Sequence, residues 1–340
     1  MTNILVLFLV LVFSFFLRDW CLKKNLLLNY TGEKHQKFFK HKKVPLIGGI
    51  LIILFLIFQN LDLLQKTFII FIWFVGFLSD IKFLKSPKHR FILQFISVLA
   101  FLYLSETIIQ DTRIIILDSL LENKILSLLF TTFCVLIIIN GSNFIDGTNG
   151  NLIISKLLVI FALIYTSFIY SLEINYILFL SLVVLLFIIL ILNFKNLIFL
   201  GDSGSCMIGF FVSIILINFY IQNNFLSPFL IVLWLFYPGF ENLFSILRKY
   251  NFDISPLKSD TKHLHHLLYY YLSKKFKRIK NNIYSSLVIM FFNAVFILLS
   301  IQSPQNTQYQ IFLIIVATVL YSTAYNKLNN FYDKENRDRK

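Results

Sequence analysis

The sequence predicts an all-α, polytopic membrane protein, and three observations predict it. Hydrophobic residues make up 58% of the chain and charged residues only 14%, where a soluble chain is about half apolar and about a quarter charged. Apolar runs of roughly 17–20 residues recur along the whole length, each long enough to cross a bilayer. Basic residues gather in alternate connecting segments, as membrane topology requires.

About eleven spans follow, near residues 3–17, 44–58, 66–79, 91–105, 125–139, 152–170, 175–192, 206–222, 226–247, 284–301 and 308–326. The first lacks a basic lead-in and a small-residue cleavage site, so it reads as a retained helix rather than a signal peptide. Little length remains for a soluble domain, and residues 1–340 read as one integral-membrane domain.

Because spans alternate sides, the charges can be sorted. Of 31 Lys and Arg, 27 fall in the segments 18–43, 80–90, 193–205, 248–283 and 327–340; the opposite segments hold only Lys66, Arg113 and Lys124. The positive-inside bias places the basic set in the cytoplasm, with the N-terminus outside and the C-terminus inside. The net charge of +14 is then explained by topology and not by nucleic acid. Cys21, Cys134 and Cys206 are odd in number and widely spaced, which suits neither a disulfide framework nor a thiolate metal site.

Five polar constellations lie on the cytoplasmic side. The first is Glu33-Lys34-His35-Gln36-Lys37, followed by Val44-Pro45 and Gly48-Gly49. Its lysines attract a phosphate or simply hold the loop inside, while Gly48 and Gly49 permit close helix packing. The second is Gly76-Phe-Leu-Ser-Asp80. An acidic residue ending a membrane helix is a functional candidate; the neighbouring Lys82, Lys85, Lys88 and Arg90 read as topology charges or as a docking strip for an anionic headgroup. The third, Asn140-Gly-Ser-Asn-Phe-Ile-Asp-Gly-Thr-Asn-Gly-Asn151, stands between two apolar runs. It reads as irregular backbone lining a watery cavity, or as a plain polar loop with turn glycines.

The fourth constellation runs from Asn193 to Gly201-Asp202-Ser-Gly-Ser205. Its carboxylate and hydroxyls suit a hard cation such as Mg²⁺; alternatively Asp202 or Ser203 caps a helix. The fifth contains Pro238, Glu241, Arg248, Ser255 to Asp260, and His263-Leu-His265-His266. Its imidazoles, with Arg248, Lys258 and Lys262 nearby, suit a pyrophosphate better than zinc. Together the five suit metal-assisted phosphoryl transfer on a membrane-bound substrate, at a site facing the cytoplasm.

These motifs, in this order, resemble those of the polyprenyl-phosphate N-acetylhexosamine-1-phosphate transferases, the glycosyltransferase family 4 group, over about residues 30–270. Most specific are Asn140, Asn143, Asp146-Gly147 and Gly150, then Gly201 to Ser205, then His263 to His266. The histidine form is similar to that of the N-acetylglucosamine-1-phosphate branch. The resemblance implies transfer of a sugar 1-phosphate from a UDP-N-acetylhexosamine to polyprenyl (undecaprenyl) phosphate, with release of UMP. That step would start a cell-envelope glycan, such as a lipopolysaccharide O-antigen, at the bacterial inner membrane.

The resemblance also implies a cofactor, Mg²⁺ or Mn²⁺, and a homodimer. Asp80, Asp146 and Asp202 would be catalytic, Asp202 being the principal metal ligand with Asp146 beside it. Asn140, Asn143, Asn149, Asn193, Arg248, His263, His265 and His266 would bind the nucleotide and diphosphate. Asp80, Lys34 and His35 would face the lipid phosphate. The chain departs from the family pattern at three positions, with Ser79 and Asn149 where aspartates are usual, and with Glu241 replacing Asp in a Pro-x-x-Asp element. Two other classes compete: a catalytically impaired relative with a binding or assembly role, and a secondary transporter, whose site would lie near the bilayer midplane.

Overall fold

A computed structural model of the chain describes residues 2–28, 43–251, 262–276 and 281–337. Lys34, His35 and the segment Ser255 to Asp260 lie outside the described residues. What is described is helical: α1 (Thr2–Lys24), α2 (Gly48–Ile57), α3 (Leu63–Asp80), α4 (Pro87–Ser105), α5 (Ile115–Leu121), α6 (Lys124–Ile145), α7 (Asn151–Ile169), α8 (Tyr176–Phe194), α9 (Gly201–Gln222), α10 (Pro228–Trp234), α11 (Phe236–Asn251), α12 (Leu264–Lys275), α13 (Asn281–Ile301) and α14 (Thr307–Arg337). Extended pairing among these residues is limited to two isolated bridges, Leu28 with Pro45 and Leu46 with Phe199.

Among the described residues eight helices are long and apolar enough to cross a membrane: α1, α3, α6, α7, α8, α9, α13 and α14. The predicted span at 226–247 is instead a pair, α10 and α11, bent by 79°. Taken as one broken span, the pair makes nine. Pro238 supplies the cause, since it has no N–H for the Trp234 carbonyl one turn back and its ring crowds that turn. The predicted span at 44–58 contains only ten helical residues, about 15 Å of helix against a hydrocarbon core of about 30 Å. The helix predicted at 91–105 starts earlier, at Pro87-Lys88-His89-Arg90, and buries Gln94 and Ser97; this polar content keeps it out of the eight.

The stretch 140–151 is also more regular than irregular backbone would be. Asn140 to Ile145 continue α6, and the break shrinks to Asp146–Gly150. Small residues make this possible: Gly141 lies against the Pro238 carbonyl of α11, and Ser142 against Gly209 of α9.

The bundle is built around α9. Of its spanning window 83% is buried, against 17% for α1, and it packs on α2, α3, α6 and α10. Its small residues let neighbours approach as membrane helices do when van der Waals packing replaces the hydrophobic effect. A Cβ on Gly49 of α2 would stand 2.4 Å from the Gly204 nitrogen, and one on Gly76 of α3 would stand 2.5 Å from the Ser203 Cα.

Helix starts divide into two kinds. Asn123 and Asn175 cap α6 and α8 with their own side-chain oxygens, as such residues do. Leu200 and His263, at the corresponding positions before α9 and α12, make no side-chain cap. Both helices take a carboxylate from elsewhere in the chain.

At the opposite end of α9, Arg113 ties three loops. Its guanidinium donates to the carbonyls of Asn224, Phe225, Leu226 and Gln305 at 2.8–2.9 Å, and to the Thr307 hydroxyl at 2.9 Å. The four hydrogens on its two terminal nitrogens serve five acceptors, one hydrogen being shared, in a planar arrangement that lysine cannot reproduce. Arg113→Ala should therefore lower unfolding stability by about 2–3 kcal/mol, read as a drop in thermal midpoint of the detergent-solubilised protein. Arg113→Lys should restore only part of it, and an unchanged midpoint for the alanine variant would show the clasp to be dispensable.

Candidate active site

The site starts from the N-terminus of α9. The first backbone N–H groups of a helix have no intrahelical partner, and Leu200 supplies none. Asp80, the last residue of α3, fills the gap. Its Oδ1 accepts from the Asp202 N–H at 2.8 Å; its Oδ2 accepts from the Ser203 N–H at 3.0 Å and the Ser203 hydroxyl at 2.6 Å. A carboxylate there also meets the positive end of the helix dipole. The close approach needs Gly201, whose φ is +75° and where a Cβ would stand 2.6 Å from Asp80 Oδ2.

Capping turns Asp202, in the first turn of α9, toward α6 and α4. Its Oδ1 accepts from the Asn143 amide at 2.7 Å, and Asn143 also donates to the Ser205 hydroxyl at 3.0 Å. Its Oδ2 accepts from the Ser79 hydroxyl at 2.7 Å and forms an ion pair with Arg90, which also reaches Ser79 at 3.3 Å. The Asp202 side chain keeps 30% of its surface exposed, so a ligand can reach it.

Asp146 caps the end of α6. Burial, and then the negative charges of Asp202 and Asp80, hold its carboxyl well above the usual carboxylate range. Among the described residues no hydrogen-bond donor reaches its side chain. Three carboxylates thus stand together against one guanidinium. All donors are oxygens, and Asp146 lacks a partner, which is an environment that favours a hard divalent cation. Among the described residues no three His, Cys, Asp or Glu side chains form a preformed metal cage. A cation held here would rest on Asp146 and Asp202 and complete its shell with water and phosphate oxygens, as Mg²⁺ does.

The histidines approach from the other side of the 146–150 turn. A Cβ on Gly147 would stand 2.4 Å from His265 Nε2 and 2.8 Å from His266. His265 Nδ1 bonds the Tyr237 hydroxyl at 3.2 Å. Its buried Nε2 has no partner, and burial together with His266 and His263 holds its pKa well below the usual imidazole value. His263 is buried, and its Nδ1 bonds Glu241 Oε1 at 2.9 Å.

The other predicted site residues sit away from this opening. Asn140 donates to the Leu136 carbonyl of its own helix. Asn149 is buried, and its amide is fully paired: Nδ2 donates to the Asn193 carbonyl at 2.8 Å and to Asn196 Oδ1 at 2.7 Å, and Oδ1 accepts from Asn282 at 2.9 Å. Asn193 is buried too, accepting from the Gly150 N–H at 2.7 Å and donating to the Ile198 carbonyl at 3.3 Å. Arg248 is held by the Lys262 carbonyl and the Tyr325 hydroxyl, with its guanidinium 5.5 Å from the Tyr325 ring.

Several neighbours of the site escape a reading of the sequence. Arg90 reads there as one charge in a basic strip, and its pairing with Asp202 could be suspected only from the uncharged Ser79. Asn282 and Tyr321 carry no motif signal. An apolar cavity of about 520 Å³ opens between α6, α9, α10, α11 and α14; its lining includes Ile138 and Gly239, each two residues from a polar residue of the motifs, Asn140 and Glu241.

Asn149→Asp should lower unfolding stability by about 1–3 kcal/mol. The new carboxylate has no hydrogen for the Asn193 carbonyl, even if the Asn196 amide turns round to donate. Thermal unfolding in detergent checks this, and an equal or higher midpoint would contradict it.

Residues 63–220 match a family model described as glycosyl transferase family 4. No curated protein matches the chain. The matched stretch runs from α3 to α9 and contains Asp80, Arg90, Asn143, Asp146 and Asp202. The match supports a transferase of the polyprenyl-phosphate sugar-1-phosphate type in a multi-pass membrane setting. Over that stretch, a little under half of its length, the chain is similar to glycosyl transferase family 4.

Proposed function

We propose that the protein transfers an N-acetylhexosamine 1-phosphate, N-acetylglucosamine 1-phosphate by default, from its UDP-sugar to polyprenyl phosphate on the cytoplasmic face of a bacterial inner membrane. The product starts a cell-envelope glycan. The observation that carries this reading is the meeting of Asp80, Asp146, Asp202, Asn143 and Arg90 where α3, α4, α6 and α9 converge. A separate apolar cavity lies beside the bend of α10 and α11 and reaches Tyr220 and Pro228 toward the opposite end of α9; it would suit part of a prenyl chain.

In the reaction a phosphate oxygen of the lipid attacks the phosphorus that bears the sugar. The bond from that phosphorus to the bridging oxygen breaks, and UMP leaves with the electron pair. A divalent cation held by Asp146 and Asp202 would neutralise charge on the diphosphate and on departing UMP. Asn143 orients Asp202, and Asp80 holds the first turn of α9 in place. Arg90 and the histidines supply donors for phosphate oxygens. The nucleophile needs little help, because the second pKa of a phosphate monoester is about 6 and the lipid phosphate is mostly dianionic at neutral pH.

A catalytically impaired relative is the second reading, favoured by Ser79 and by the engagement of Asp202 with Arg90. Release of UMP from UDP-sugar, dependent on both Mg²⁺ and added polyprenyl phosphate, separates the two readings. Asp202→Ala should reduce that release at least about hundredfold, the loss of about 3 kcal/mol of transition-state stabilisation; near-normal turnover would remove Asp202 from the machinery. Ser79→Asp should change turnover by less than about tenfold. A gain of about 10²-fold or more, the usual effect of a general base, would show instead that the native chain lacks a base it needs.

A further inference from the structure

Glu241 is a carboxylate on α11 with 1% of its surface exposed. Burying such a charge is costly unless donors surround it, and three do. His263 Nδ1 lies 2.9 Å from Oε1, the Leu264 N–H reaches the same oxygen at 3.4 Å, and the Tyr321 hydroxyl donates to Oε2 at 2.6 Å. Leu264 is the first residue of α12, so Glu241 steadies the start of the histidine-bearing helix much as Asp80 steadies α9.

Tyr321 comes from α14, well outside the family match. It is 2% exposed and packs edge-on against Phe240 at 4.8 Å and Phe244 at 5.4 Å between ring centres. Its hydroxyl therefore has little freedom. The same helix holds the last turn of α12, through Lys274 with Glu335 at 3.2 Å, and the approach to it, through Lys262 with Asp333 at 2.9 Å.

We propose that Tyr321, acting through Glu241, is a positioning residue for His263: it fixes the imidazole with Nδ1 bonded to the carboxylate and leaves Nε2 to take up a proton and, in the imidazolium form, donate it to a phosphate oxygen of a nucleoside diphosphate. With Glu241 ionised the contact takes the Nδ1–H form, because a carboxylate can only accept. A hydrogen bond on one ring nitrogen sets what the other can do. The choice of ligand rests on the transferase reading above; the orientation of His263 does not.

The test uses the full-length protein in detergent. ¹⁵N-histidine NMR at alkaline pH, with the His263 signals assigned by their loss in His263→Gln, reads the tautomer; titration with UDP and Mg²⁺ reads affinity. Wild type should show His263 protonated on Nδ1. Tyr321→Phe should give a mixture of tautomers and bind UDP about tenfold more weakly, the effect of one hydrogen bond to a charged group. The KM for the UDP-sugar should rise while that for polyprenyl phosphate stays unchanged, a split that general loosening of the fold would not give. Tyr309→Phe, which removes a hydroxyl from the far end of α14 where it meets the Leu299 carbonyl, should leave all readouts as in wild type.

A wild-type His263 with a bare Nδ1 overturns the proposal, whatever the variants do. So does a Tyr321→Phe protein with wild-type tautomer and affinity. If the tautomer shifts as expected but neither protein binds UDP, the positioning role stands and the transferase reading fails.

Discussion

The contact on which the rest depends is the carboxylate of Asp80 across the first turn of α9. Two backbone N–H groups and one hydroxyl, from Asp202 and Ser203, converge on it. The interaction joins the end of one span to the beginning of the bundle's most buried one. A capping side chain is worth about 0.5–2 kcal/mol. Geometry matters more here than energy, because the cap decides which way Asp202 faces. Gly76 and Gly201 are part of the same device, since a Cβ at either would collide with α9 or with Asp80 itself.

This device also explains why the site tolerates so much negative charge. Asp80 gives both oxygens to α9, and Asp202 gives its oxygens to Asn143, Ser79 and Arg90. Asp146, part-exposed, takes no side-chain hydrogen bond among the described residues, and its proton affinity rises with burial and with the two neighbouring carboxylates. On the proposed reading such an arrangement would relax when a cation or phosphate-bound cation arrives, as perturbed carboxylates at binding sites do. The histidine side repeats the logic, with Glu241 buried at the start of α12 and held by His263, Leu264 and Tyr321.

Much of this was legible in the residues. Apolar runs mark the long helices, because a bilayer demands length and composition together, and Asp80, Asn143, Asp146 and Asp202 stand out as polar residues at the ends of those runs. Length failed as a guide at 44–58, where the apolar run continues past a helix of ten residues, and at 226–247, where Pro238 breaks a run that hydropathy reads as continuous. The stretch 140–151 looked irregular because amides and glycines favour turns, yet tertiary packing against α9 and α11 keeps half of it helical. Asn149 could not be placed from the chain alone, since its partners Asn193, Asn196 and Asn282 are remote in sequence. Arg90 and Tyr321 were hidden for the same reason: a partner across the bundle leaves no periodic trace.

On the proposed reading Asp80 and Asp202 have different tasks, one holding a helix and the other meeting the ligand. Anomalous scattering from crystals grown with Mn²⁺ and UDP tests this division most directly. The division predicts a metal peak within about 2.2 Å of carboxylate oxygens of Asp202 and Asp146, with Asp80 still bonded to the Asp202 and Ser203 amides. A peak ligated by Asp80 and detached from Asp202, or one on neither side of the 146–150 turn, would contradict it.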